Sequence, residues 1–140
     1  MILDVKLDYT KCKNEQQFKK LYIKEWSKGY YKYFCIETEE TVKGFPDVLC
    51  INKITQNASF IEFKFTQTGK IKFQPTQPAF YRYNMDLNIS VAAYNCTTDK
   101  VHIFKVKELL KDGSPYQIND KAEVDLRRAE WGKIKWLRKW

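Results

Sequence analysis

The sequence predicts one α/β (α+β) domain, a mixed β-sheet flanked by helices, in the order α-β-β-β-α-β-β with a helical tail at the C-terminus. Three observations predict it. An apolar stripe of helical period lies near the N-terminus, and three β-rich runs follow it. A proline-led helical segment comes next, and two more β-rich runs come after that. The length of 140 residues suits one domain, and 44% hydrophobic content is enough for a core.

The first helix is "NEQQFKKLYIKEWSKGYY". Asn14 can cap it, and Gln17 three residues later completes a capping box. Phe18, Leu21, Tyr22 and Trp26 recur at helical spacing and give it one apolar face for core packing; Gly29 ends it. "YKYFCIET", "DVLCI" and "SFIEFKF" are strands, the last two separated by the polar "NKITQNA". In "QPTQPAFYRYNMDL", Thr76 or Gln77 can cap a second helix, and Pro78 fits its first turn. "ISVAAYNC" and "KVHIFKV" are strands joined by the turn-like "TTD". "KELLKDG" is a short helix stopped by Gly113. This gives a domain over residues 1–112, with its core at about 14–104. Residues 113–140 are left as a linker, "DGSPYQIND", and a basic, Trp-rich tail interrupted by Gly132.

The net charge is +8, which attracts polyanions, with nucleic acid or an anionic membrane surface as the usual partners. A solvated lysine face is the plain alternative. The cysteines, Cys12, Cys35, Cys50 and Cys96, show no C-x-x-C spacing, which argues against a structural zinc site. Cys35, Cys50 and Cys96 sit in apolar runs, as small reduced core residues do. His102 lies in an apolar strand with no partner at ligand spacing and reads as structural. The N-terminus has no apolar signal core, and no run reaches the roughly 18 apolar residues of a membrane span. An intracellular, cytoplasmic protein is expected.

The informative stretch is "GFPDVLCINKITQNASFIEFKF", residues 44–65. Alternation puts Glu62 and Lys64 on one face of a strand and Ile61, Phe63 and Phe65 on the other. Paired residues of an antiparallel hairpin share a constant index sum. Pairing Asp47 with Glu62 centres the turn at Ile54 and Thr55, inside the polar connection. The two carboxylates would then be cross-strand neighbours about 5 Å apart, which is unfavourable unless a cation lies between them. A divalent metal suits carboxylate oxygens. A Lys beside it can hold a phosphate oxygen, position a water or take its proton. Two carboxylates, a metal and a Lys are what phosphodiester hydrolysis needs. The plain alternative is a turn entry at Pro46-Asp47 and a solvated strand face at Glu62 and Lys64.

"FPDV…FIEFKF", with Pro46-Asp47, fourteen intervening residues and Glu62-x-Lys64, resembles the PD-(D/E)XK nuclease superfamily. "GFPDVL" is similar to the G-x-PD of Holliday junction resolvases and of small virus-type replication-repair nuclease domains. The resemblance covers about residues 14–96. It implies a restriction-endonuclease-like fold, Mg²⁺ or Mn²⁺, and DNA cleavage leaving a 5′-phosphate and a 3′-hydroxyl. It implies Asp47 and Glu62 as metal ligands with the carbonyl of Phe63, and Lys64 as the residue that orients or activates water. Glu15 would support the metal site, and Gln77, or less well Gln74, the catalytic group. Glu25 and Glu37 are rival acids, and helix capping is the plain role for Glu15 and Gln77.

Lys70 and Lys72 follow the E-x-K strand in a loop suited to a phosphate backbone. Residues 121–140 carry seven basic and three acidic residues, interleaved with Trp131, Trp136 and Trp140. Arg127, Arg128, Lys133 and Lys135 are candidate DNA contacts; packing against a second subunit or the domain is the rival role. The expected protein is a metal-dependent endonuclease for branched or duplex DNA, acting as a homodimer in recombination or repair, of the resolvase type. A Lys- and Asn-rich chain this compact suits a phage or a mobile element. A repair, restriction or flap-cutting nuclease on the same fold is one alternative. A binding module without chemistry is the other.

Overall fold

Asn14 starts the first helix as its chemistry requires: its side chain accepts from the Gln17 N–H at 2.9 Å. The Gln17 side chain answers one residue earlier than a capping box, accepting from the Lys13 N–H at 2.8 Å. In the computed structural model, which describes residues 1–27, 29–36 and 44–131, the elements are β1 (Ile2–Leu3), α1 (Glu15–Trp26), β2 (Tyr31–Cys35), β3 (Val48–Asn52), β4 (Ala58–Thr66), β5 (Lys70–Lys72), α2 (Thr76–Tyr83), β6 (Ile89–Asn95), β7 (Lys100–Lys105) and β8 (Glu123–Asp125).

Six strands form a mixed sheet in the order β1-β7-β6-β4-β3-β2, and β5 pairs with β8 in a separate ribbon. Only β4 and β6 run parallel. A parallel pair needs a crossover, and the chain between them carries α2. The sheet thus has two covered faces. Phe18 and Tyr22 of α1 pack with Val48, Cys50, Ile61, Phe63 and Tyr94 on one face. Tyr81 of α2 packs with Ile71, Phe73, Val91, Phe104, Val124 and Leu126 on the other. The odd residues of β4 feed the α1 face, so Glu62 and Lys64 are turned towards α2.

The seven predicted elements occur in the predicted order, and the mixed sheet flanked by helices is the architecture found. The differences are short-range. β1, β5 and β8, of two or three residues each, are too short for a periodicity to show. "KELLKDG" yields only a 3₁₀ turn over Val106–Glu108. Neither Thr76 nor Gln77 caps α2; the N-cap is Pro75, without a side-chain bond, and both residues lie inside the first turn. Cys35 is exposed, because β2 is an edge strand; all four cysteines are free thiols.

Residues 113–131 pack on the domain. Tyr116 stacks on Phe104 with centroids 4.1 Å apart. Residues 123–125, read from sequence as part of a helical tail, form β8 opposite β5. His102 is fully buried, with Nδ1 2.9 Å from the Tyr116 hydroxyl and Nε2 3.2 Å from Glu130 Oε2. Asn95 also donates to Glu130 Oε2, at 3.2 Å. No helix of the described residues is long and apolar enough to cross a membrane.

Candidate active site

The approach to Asp47 is built by "GFPD". Gly44 has φ +90°, and a Cβ there would stand 2.7 Å from the Thr76 carbonyl oxygen and 3.0 Å from Phe80 Cβ. Only glycine meets both demands. Phe45 then packs edge-on against Phe60 and Phe80, at 5.2 and 5.4 Å. These contacts tie the entry of β3 to the first turns of α2.

The β3–β4 register has Val48 opposite Ile61, Leu49 opposite Phe60, Cys50 opposite Ser59 and Ile51 opposite Ala58. All share the index sum that places Asp47 opposite Glu62. The ladder itself stops at Val48–Ile61. The next hydrogen-bonded position in this register sets Pro46 opposite Phe63, and proline has no N–H. The Phe63 carbonyl therefore receives no donor from β3. The Phe63 N–H turns instead to the Asp47 side chain, donating to Oδ2 at 3.3 Å. The two strands part where the carboxylates face each other.

Glu62 is 5% exposed. Its Oε1 accepts from Gln77 Nε2 at 2.7 Å and lies 3.6 Å from Lys64 Nζ. Its Oε2 is buried with no hydrogen-bond partner among the described residues. Burial, and then the Asp47 charge, push the Glu62 carboxyl up to about 7, against the pull of Lys64 and Gln77. Lys64 donates to Gln77 Oε1 at 3.2 Å and stands 4.7 Å above the Phe73 ring centroid. Gln77 Oε1 also accepts from the Gln74 N–H at 2.8 Å. Two donors on that oxygen fix the amide so that its NH₂ must face Glu62. Gln77 thus orders both the acid and the base of E-x-K.

Tyr81 was not singled out by the sequence reading. It lies one turn beyond Gln77 on the same face of α2. It is fully buried, and its hydroxyl has no partner among the described residues. Burial, then the charges of Glu62 and Asp47, hold that hydroxyl well above the usual range. The i, i+4 spacing from Gln77 is the signal that would have found it.

Glu15 opens α1 and feels the charges of Lys64 and Asp47, with burial the main cause of its raised carboxyl pKa. It does not close into a three-acid cluster. Among the described residues no group of three or more His, Cys, Asp or Glu side chains stands at metal-holding spacing. Glu25 is committed elsewhere, accepting the Lys6 and Leu7 N–H groups at 3.0 and 2.7 Å. Glu37, Lys133 and Lys135 lie outside the described residues.

The remaining basic candidates described are exposed and stand near acidic or polar groups. Lys70 and Lys72 stand across the β5–β8 ribbon from Asp125 and Glu123. Arg127 makes two side-chain bonds to Asp125, each 2.8 Å. Arg128 donates to the Ser114 carbonyl at 3.4 Å. The surface beside the site is therefore of mixed charge, not uniformly basic.

The donor set fits a hard divalent cation. Two carboxylates face each other, one with a buried oxygen unsatisfied among the described residues and a pKa raised by burial and then by its neighbour, and a backbone carbonyl beside them has lost its strand partner.

The mixed sheet, parallel only at its centre, with helices on both faces and an acid pair at the strand junction, is a resolvase-like, restriction-endonuclease-like fold. In three dimensions the chain is similar to a Holliday junction resolvase of the archaeal hyperthermophile Archaeoglobus fulgidus. The TM-score is 0.58, over 83% of this chain and 92% of that one, at 13% sequence identity. At that identity the likeness is one of fold. No protein-family model matches the chain, and no curated protein matches it significantly in sequence.

Proposed function

We propose that the chain is a metal-dependent endodeoxyribonuclease of the PD-(D/E)XK kind, acting on branched DNA in the manner of a resolvase. One observation carries this reading. Asp47, Glu62 and Lys64 converge where β3 and β4 part, and Glu62 is buried there with an oxygen that no described residue satisfies.

Asp47, Glu62 and the Phe63 carbonyl would hold Mg²⁺ or Mn²⁺. When bound, the ion supplies an activated water and stabilises the charge that grows on the phosphate oxygens. The chain supplies the rest. Lys64, with its ammonium held between Glu62 and Gln77, orients the attacking water or grips a phosphate oxygen. Gln77 keeps Glu62 Oε1 engaged, so that Oε2 is the oxygen left for the cation. Glu15 acts from the α1 side through its field. Lys70, Lys72, Arg127, Arg128, Lys133 and Lys135 are the candidate backbone contacts. A homodimer in the cytoplasm would bring two sites to two strands.

The test is cleavage of a labelled four-way junction beside linear duplex, with Mg²⁺ or Mn²⁺, by wild type, Asp47→Ala and Lys64→Ala. Metal-dependent cutting of the junction, lost in both variants, is the expected result. Equal cutting of junction and duplex would overturn the branched-DNA part. Binding without cutting by the wild type would overturn the enzyme.

A further inference from the structure

The 12 residues of α1 span about 18 Å and stop at Trp26, before the far end of β4 is covered. Beyond the helix end the sheet opens into a cavity of about 450 Å³. Tyr22, Trp26 and Tyr33 wall it, Tyr31 stands at its edge, and Ile61 and Ile103 lie beneath. Ser59 and Ile61 reach it from β4, so it occupies the sheet face opposite Glu62 and Lys64. Ser59 is three residues from Glu62, about 10 Å along the strand. The cavity is therefore separate from the acid pair and close to it.

Its chemistry is specific. The rings form a continuous wall, with Tyr22 to Trp26 at 6.1 Å, Tyr22 to Tyr33 at 6.4 Å and Tyr31 to Tyr33 at 6.5 Å between centroids. The rim is neutral and hydrogen-bonding, with Asn57, Ser59 and Ser90. The charged groups of the described lining residues are cations, the Lys105 side chain, which also donates to Asn88, and the N-terminal ammonium of Met1, on a chain of net charge +8.

We propose that this cavity binds one unpaired nucleobase of a nucleic acid. The base stacks on the tyrosine and tryptophan wall, its edge meets the neutral rim at Asn57, Ser59 and Ser90, and a flanking phosphate lies at Lys105. A lipid chain would leave the polar rim unused. An acidic peptide would leave the stacking wall unused. An extruded base asks for a stacking face, a few neutral hydrogen bonds and positive charge near its phosphate, and a cavity of this size admits it. Such a pocket would select DNA whose strands branch or carry unpaired positions. Binding there needs no chemistry at Asp47 and does not depend on cleavage.

Fluorescence anisotropy in EDTA tests it, with two labelled duplexes of equal length, one fully paired and one with a single unpaired adenine. Wild type should prefer the bulged duplex. Tyr31→Ala, on an edge strand and 39% exposed in the wild type, should leave the fold intact. Trp26→Leu keeps an apolar side chain and removes the ring. Both should weaken binding of the bulged duplex by roughly 5- to 100-fold and leave the paired duplex unchanged. Equal affinity of wild type for both duplexes, or variants that keep the wild-type preference, would overturn the proposal. A dimer that Tyr31→Ala turns into a monomer would give the cavity to a second copy and overturn it too. A bulge preference retained in Asp47→Ala would support it whatever that variant does to cleavage.

Discussion

Gln77 Nε2 donates to Glu62 Oε1 at 2.7 Å while Gln77 Oε1 accepts from Lys64 at 3.2 Å, so one amide holds both charged members of E-x-K. Removing it frees Lys64 and leaves a buried carboxylate oxygen without its donor. Gln77→Ala should cost about 1–3 kcal/mol in urea denaturation and lower metal-dependent cleavage by roughly 10–100-fold. Wild-type cleavage by the variant would remove Gln77 from the site.

The Glu62 carboxyl titrates near 7 in the folded chain and near 4.5 when unfolded. Between these values the folded state keeps a proton that the unfolded chain has lost. Stability of the metal-free protein should therefore fall as pH rises from about 4.5 to about 7, and stay lower above that. Thermal unfolding across this range reads it, and Glu62→Gln should flatten the slope. Mg²⁺ should raise the melting temperature more at pH 8 than at pH 5.5, because only the ionised pair attracts it. An equal gain at both would mean that the cation binds elsewhere.

Pro46 leaves the Phe63 carbonyl without a donor from β3. Pro46→Ala restores an N–H at that position and invites the ladder to extend by one pair. Mn²⁺ binding, followed by isothermal titration, should weaken while the fold is kept. Unchanged affinity would mean that the carbonyl is not a ligand.

Tyr81 carries a buried hydroxyl with no partner among the described residues, in the field of two carboxylates. Tyr81→Phe deletes an uncompensated polar group, so the metal-free protein should gain on the order of 1 kcal/mol in urea. Cleavage should drop at the same time, since the hydroxyl lies in the field of Glu62 and is free to anchor a water there. A variant that is no more stable and equally active would assign Tyr81 to packing alone.

Gly44 lies at φ +90°, with Thr76 and Phe80 against the place a side chain would occupy. Gly44→Ala should destabilise by roughly 2 kcal/mol or more. Because the chain reaches Asp47 three residues later, cleavage should fall further than stability does. The ratio of the two losses, measured by calorimetry and junction cutting, shows whether the turn positions Asp47 or only closes the fold.

Much of this site was legible in the residues. Alternation put Glu62 and Lys64 on one face, and the length of the polar connection fixed the register with Asp47, because both follow from backbone geometry that any strand obeys. The first helix followed from its apolar spacing, and the second from its proline-led helical run. The tertiary structure decided what covers that face. A polar strand face between two β-rich runs can meet water or another element, and only the β4–α2–β6 crossover brings Gln77, Tyr81 and Phe73 over it. That covering buries Glu62 and makes the neighbouring Asp47 costly. The pairing of β5 with β8 likewise came from contacts between residues more than fifty positions apart, which no local period encodes. It set acidic residues opposite Lys70 and Lys72, where charge counting alone had left a basic surface. Local sequence determined which side chains share a face; packing between distant segments determined which of them are dry, and dryness is what gives an acid pair its chemistry.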